Sequence, residues 1–141
     1  MVDALYTAVA TARGDGRNGE VTSSDGVIDE RLSIPKEMGG PGGEFTNPEQ
    51  MFAAGYAACF HSALQLVARQ AKIGLTTSTV TAEVSIGKDG EGFGLGVKLV
   101  AYLPGVEQGK ASELVAQAHQ VCPYSRATRG NIAVEVTATT D

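Results

Sequence analysis

Apolar and polar residues alternate along 79–86, with Val80, Ala82, Val84 and Ile86 on one side and Thr79, Thr81, Glu83 and Ser85 on the other. The same period runs through Phe93, Leu95, Val97, Leu99, Ala101 and Leu103. A period of two predicts half-buried strands. Residues 5–12 alternate well enough for another strand, and the turn-forming cluster Gly14-Asp15-Gly16-Arg17-Asn18-Gly19 follows it. Glu20-Val21-Thr22 and, past Asp25-Gly26, residues 27–34 complete three short antiparallel strands joined by hairpins. Residues 131–139 predict a last strand.

Between these strands the pattern changes. Residues 38–43 are rich in glycine and predict a loop, and 38–44 is a candidate lid. A helix is then expected from Asn47-Pro48-Glu49. Asn47 suits the N-cap, Pro48 the first helical position, and Glu49 the positive end of the helix dipole. The helix is expected to run to about Lys72, with Gly74 as its C-terminal cap. From Met51 to Phe60 it is apolar or small all round, the mark of a helix buried on every side. One small sheet cannot surround it, so a second subunit is inferred. A second helix, 107–121, carries the apolar stripe Ala111, Leu114, Val115, Ala118 and Cys122. Pro123 disfavours helical geometry at Cys122, which is therefore expected at a helix end. The order βββαββαβ has no repeating βα unit, which defines an α+β class with antiparallel sheets around a long central helix. No internal repeat or linker interrupts it, so 1–141 is expected to form a single domain.

Composition narrows the function. At 141 residues and 43% hydrophobic content, the chain is neither disordered nor membrane-like in composition. A net charge of -5 argues against general affinity for nucleic acid or anionic membrane. The first residues, Met1-Val2-Asp3-Ala4-Leu5-Tyr6, carry no basic stretch followed by an apolar run, so no secretory signal is expected. The apolar run from Met51 to Phe60 is half the length needed to cross a bilayer. A cytoplasmic location is expected. Gly14-x-Gly16-x-x-Gly19 does not open an apolar helix in a βαβ unit, so its match to a dinucleotide fingerprint is accidental.

The chemistry centres on two cysteines, Cys59 and Cys122. In a reducing compartment such a pair points to redox chemistry, to metal binding, or to two inert core residues. Cys59, His61, His119 and Cys122 together make a legitimate zinc ligand set, although two residues in Cys-x-His spacing point to different faces of one helix. A thiol attacks a peroxide only as thiolate, and burial among Tyr56, Ala57, Ala58 and Phe60 opposes ionisation of Cys59. A reactive Cys59 therefore needs a cation brought to it, and Arg17, in its glycine-rich turn, is a candidate.

The segment Asn47-Pro48-Glu49-Gln50-Met51-Phe52-Ala53-Ala54-Gly55-Tyr56-Ala57-Ala58-Cys59-Phe60 resembles the first cysteine motif of the organic hydroperoxide resistance proteins. The segment Val121-Cys122-Pro123-Tyr124-Ser125-Arg126-Ala127-Thr128-Arg129-Gly130-Asn131 resembles their second, and Gly16-Arg17-Asn18-Gly19 their arginine motif. The wording fits this branch better than the related osmotically induced one. The resemblance implies that Cys59 is the peroxidatic residue and Cys122 the resolving one, and that an Arg17–Glu49 ion pair holds the guanidinium near the thiolate. It also implies organic or fatty-acid hydroperoxide substrates and no bound cofactor. The implied reductant is an external dithiol such as lipoyl groups on a carrier protein, and the implied assembly is an intertwined homodimer. Phe45, Met51, Phe52, Phe93 and Tyr124 are candidate contacts for a substrate tail. A thiol sensor that reacts once without turnover is a further alternative.

Helix arithmetic adds one expectation. Glu49 and Cys59 are ten residues apart, about 15 Å of rise and roughly 80° off one face on an unbroken helix. Each site is then expected to be shared, with Glu49 from one chain and Cys59 from the other.

Overall fold

The computed structural model describes residues 2–141. The chain divides into two compact units, Met1–Met51 and Phe52–Asp141. In the first, β1 (Ala10–Arg13), β2 (Glu20–Ser23) and β3 (Asp29–Arg31) form an antiparallel sheet in that order. The two outer strands are shorter than the sequence pattern predicts, and residues 5–9 are exposed and outside any strand. Leu32 is the one buried hydrophobic among the described residues of this unit. A three-stranded sheet without an apolar face of its own is at the margin of independent stability.

The helix α1 (Pro48–Gln70) begins as expected. The Gln50 N–H donates to the Asn47 side-chain oxygen at 2.8 Å, the capping bond that the Asn-Pro-Glu start predicts. Its other end differs from expectation. The helix stops at Gln70, and Lys72, not Gly74, takes the left-handed conformation at φ 59°. The Ile73 N–H donates to the Ala68 carbonyl and the Lys72 N–H to the Arg69 carbonyl, which together make a Schellman ending. By length and apolarity α1 meets the requirement for crossing a bilayer. Its Tyr56, Phe60, Leu64 and Val67 are instead committed to a protein core.

In the second unit, β4 (Thr79–Asp89) and β5 (Gly92–Tyr102) pair antiparallel across a two-residue turn. The alternating pattern is realised, with Val97, Leu99, Ala101 and Leu103 buried and Val80, Ala82 and Val84 packed beside them. The helix α2 (Gln108–Val121) is capped by Glu107, whose carboxylate accepts from the Gly109 and Lys110 N–H groups. Its stripe of Ala111, Leu114, Val115, Ala118 and Cys122 is buried. A short helix α3 (Pro123–Thr128) then precedes β6 (Val134–Thr139). The expectation of antiparallel sheets holds for the first sheet and for β4–β5. However, β6 runs parallel to β5, with Leu99 opposite Val136. The two helices between them carry the chain back to the starting end, and such a crossover joins parallel strands.

Candidate active site

Arg17 lies in a single 3-10 turn, Gly16–Asn18, between β1 and β2. The sequence shapes this turn closely. A Cβ on Gly19 would clash with the Arg13 carbonyl oxygen, so only glycine fits there. The Asn18 side-chain oxygen accepts from the Ile34 N–H at 2.9 Å and ties the turn down. Held this way, Arg17 makes a two-pronged ion pair with Glu49 of the same chain, Nη1 to Oε2 at 2.9 Å and Nη2 to Oε1 at 2.8 Å. Paired forks of this kind are the strong form of the contact. The Arg17 guanidinium holds the Glu49 carboxyl below the usual carboxylate range, against the partial burial that opposes ionisation. The bond to Glu49 raises the arginine's pKa in return.

The two cysteines meet within the second unit. Both are free thiols, and Cys122 Sγ lies 3.6 Å from Cys59 Sγ. Cys59 is half-buried on α1, and Cys122 is fully buried. Cys122 sits where α2 ends and α3 begins, in extended geometry (φ −65°, ψ 124°). Pro123 explains both facts, since it blocks helix at the preceding residue and starts a new one at its own position. Burial pushes the Cys59 thiol up, while the Tyr124 main-chain N–H pulls it down and the neighbouring Cys122 thiol adds to the rise. The balance is upward.

Aromatic rings gather near the cysteines. Phe52, Tyr56 and Tyr124 form a mutual cluster with centroids 5.8–6.3 Å apart. Gly55 makes room for it, since a Cβ there would lie 3.2 Å from the Tyr124 hydroxyl. Of the other candidate substrate contacts, Phe93 stands outside this cluster, exposed on β5 opposite Lys88. Phe45 lies in the first unit, with the Arg31 guanidinium 4.5 Å from its ring centre. Met51 is half-buried on the first turns of α1.

The zinc alternative does not assemble. His61 bonds Ser78 at 3.0 Å and His119 bonds Ser125 at 2.7 Å. Among the described residues no three His, Cys, Asp or Glu side chains converge on a metal-sized point. The contacts of His119 belong to a buried polar network that sequence reasoning missed. The Tyr56 hydroxyl lies 2.8 Å from Ser125 Oγ and 3.1 Å from Thr128 Oγ1. The signal was available in principle, because a tyrosine inside an apolar helix must find a partner for its hydroxyl.

The first unit thus holds a guanidinium–carboxylate pair and the second a pair of free thiols, within an α+β fold. Residues 40–137 match the family described as OsmC-like protein, a stretch that crosses the boundary between the two units. The organic hydroperoxide resistance protein of Xanthomonas axonopodis pv. citri is 53% identical over 134 residues, covering 94% of each chain. Organic hydroperoxide resistance protein OhrB of Bacillus subtilis is 50% identical over 137 residues, covering 94% of this chain and 97% of the relative. The crystal structure of an organic hydroperoxide resistance protein from Elizabethkingia anophelis superposes with a TM-score of 0.92 at 52% identity, covering 99% of this chain and all of the other. The chain belongs to the OsmC-like family, in its organic hydroperoxide resistance branch.

Proposed function

We propose that the protein is a thiol peroxidase that reduces organic hydroperoxides with two cysteines and an external dithiol. The observation that carries this reading is the 3.6 Å separation of two free sulfurs, one half-buried and one fully buried. The Cys59 thiolate attacks the outer peroxide oxygen. The O–O bond breaks, the alkoxide leaves and is protonated to the alcohol, and Cys59 becomes a sulfenic acid. The Cys122 thiol condenses with it, releasing water and leaving a disulfide. The sulfurs close by about 1.5 Å to reach bonding distance. A dithiol, in our reading a lipoyl group on a carrier protein, reduces the pair again and leaves as its own cyclic disulfide.

Arg17 supplies the positive charge that Cys59 lacks, and Glu49 fixes that charge in place. The helix arithmetic and the exposed apolar surface support a homodimer in which Arg17 and Glu49 of one chain serve the Cys59 thiol of the other. Leu5, Tyr6, Val9 and Val27 are all exposed in the first unit, and Leu66 is exposed on α1. Surface of this kind needs cover. Phe52 and Tyr124 offer a substrate tail apolar contact, with Phe45, Met51 and Phe93 as further contacts in the dimer. The whole of 1–141 acts as one cytoplasmic domain.

The test is turnover of an alkyl hydroperoxide against hydrogen peroxide, with dihydrolipoamide and then a monothiol as reductant. The expected result is preference for the alkyl peroxide and for the dithiol. A protein oxidised once and not recycled by any dithiol is a sensor, and the peroxidase reading falls.

A further inference from the structure

The buried polar network links the two helices that carry the cysteines. Tyr56 is fully buried on α1, three residues before Cys59. Its hydroxyl meets Ser125 and Thr128, both buried on α3, the helix whose N-cap is Cys122. Each sulfur therefore sits about one helical turn from a hydroxyl that bonds the opposite helix. The connection is braced again from α2. Ser125 Oγ lies 2.7 Å from His119 Nδ1, and Arg129 Nη1 donates to the His119 carbonyl at 2.7 Å. The Thr128 hydroxyl donates to the Ser125 carbonyl at 3.2 Å. Among the described residues no buried side-chain nitrogen or oxygen is left without a partner.

Burial makes this arrangement strict. Moving α3 away from α1 strands the Tyr56 hydroxyl in an apolar core, and a stranded buried hydroxyl is costly. The Phe52–Tyr56–Tyr124 contacts alone would let the rings slide, because ring packing is less directional than a hydrogen bond.

We propose that Tyr56, Ser125 and Thr128, braced by His119, are positioning residues for the disulfide step: they hold the Cys122 thiol within reach of the oxidised Cys59. The proposal rests on the two-cysteine reading above. In the step concerned, the Cys122 S–H and the Cys59 S–OH give the S–S bond and one water. The competing fate is attack of a second peroxide on the sulfenic acid, which yields a sulfinic acid and a second alcohol. Tight positioning decides between the two, since small misplacements of reacting atoms carry large rate penalties.

The experiment compares Tyr56→Phe, Thr128→Val and Thr128→Ser with the parent. Reduced protein is mixed with an alkyl hydroperoxide. Loss of the first thiol, dimedone-trappable sulfenic acid, disulfide and sulfinic acid are followed separately. The first oxidation is expected to stay within about twofold of the parent in all three, since the bonds of these hydroxyls go to one another and to Ser125 and not to either sulfur. Condensation to the disulfide is expected to slow about tenfold in Tyr56→Phe and Thr128→Val, with sulfinic acid accumulating. Thr128→Ser keeps the hydroxyl and is expected to condense at the parental rate. Parental condensation rates in folded Tyr56→Phe and Thr128→Val overturn the proposal. If Tyr56→Phe does not fold, the Thr128→Val and Thr128→Ser pair decides alone. A parent protein that forms no intramolecular disulfide removes the two-cysteine reading and this proposal with it, an outcome visible in the parent before any variant is compared.

Discussion

Replacing Glu49 by Gln removes one negative charge and leaves the shape of the side chain. Two hydrogen bonds, at 2.8 and 2.9 Å, tie Arg17 to the carboxylate, and Glu49 is mostly buried while Arg17 is 37% exposed. Solvent screening at the exposed arginine reduces the value of the pair, so the loss of stability is set at about 1 kcal/mol, or a fall in Tm of about 3 °C for a domain of this size. The effect on rate is larger. Burial pushes the Cys59 thiol up, and in the proposed cycle the Arg17 charge offsets that rise. An amide holds the guanidinium by one weak acceptor and presents an NH2 group to its other N–H, so the charge wanders. Loss of a fixed charge next to a developing anion lowers rates by about 100-fold. The assay is stopped-flow oxidation of the reduced protein by an alkyl hydroperoxide from pH 5 to 10. Glu49→Gln is expected to be about 100-fold slower at neutral pH, with its rate profile displaced to higher pH. Acid melting provides a second readout. The Glu49 carboxyl lies below its ordinary range, so its contribution to stability is full above about pH 4.3 and is lost as pH falls through the lowered value. The variant lacks that loss. A rate within twofold of the parent, with an unshifted profile, would falsify the assignment of Glu49 as the support for the activating cation.

Other predictions are independent of this one. Cys59→Ser is expected to abolish peroxide consumption, and Cys122→Ser to permit one oxidation while blocking turnover with dithiols. Thiol titration after a stoichiometric dose of peroxide separates the two. Lys72→Gly relieves a left-handed residue at the end of α1 and should raise stability by about 0.5–1 kcal/mol in denaturant unfolding. A neutral or lower midpoint contradicts the strain. Asn47→Ala removes the acceptor of the Gln50 N–H and should cost about 1 kcal/mol. An unchanged melting curve counts against a capping role.

The parts of the fold legible in the sequence are those in which local chemistry and tertiary contact agree. The Asn47-Pro48 start of α1, the alternation of β4 and β5, and the buried stripe of α2 each appear where the pattern placed them. The differences arise where distant partners decide. Residues 5–9 alternate like a strand, but the ladder to β2 begins at Ala10, preceded by one bond from the Ser24 N–H to the Val9 carbonyl. The direction of β6 depends on where two helices return the chain, which periodicity does not encode. Pro123 was readable as a stop at Cys122, yet it is equally a start, and α3 follows it directly. The Arg17–Glu49 pair that the motif resemblance implies is present as two hydrogen bonds. The network of Tyr56, His119, Ser125 and Thr128 joins positions up to 72 residues apart and has no local signature.

The two sulfurs are 63 residues apart in the chain. A bond between them would close a loop covering nearly half of the 141 residues. Loop-closure entropy for a ring of that length stabilises the folded state by about 4 kcal/mol, through restriction of the unfolded chain. Each turn of the proposed cycle would then harden and soften the whole protein. The oxidised form would resist heat and proteases that attack the reduced form, so the melting temperature would report how much of the population has met peroxide and not yet met its reductant.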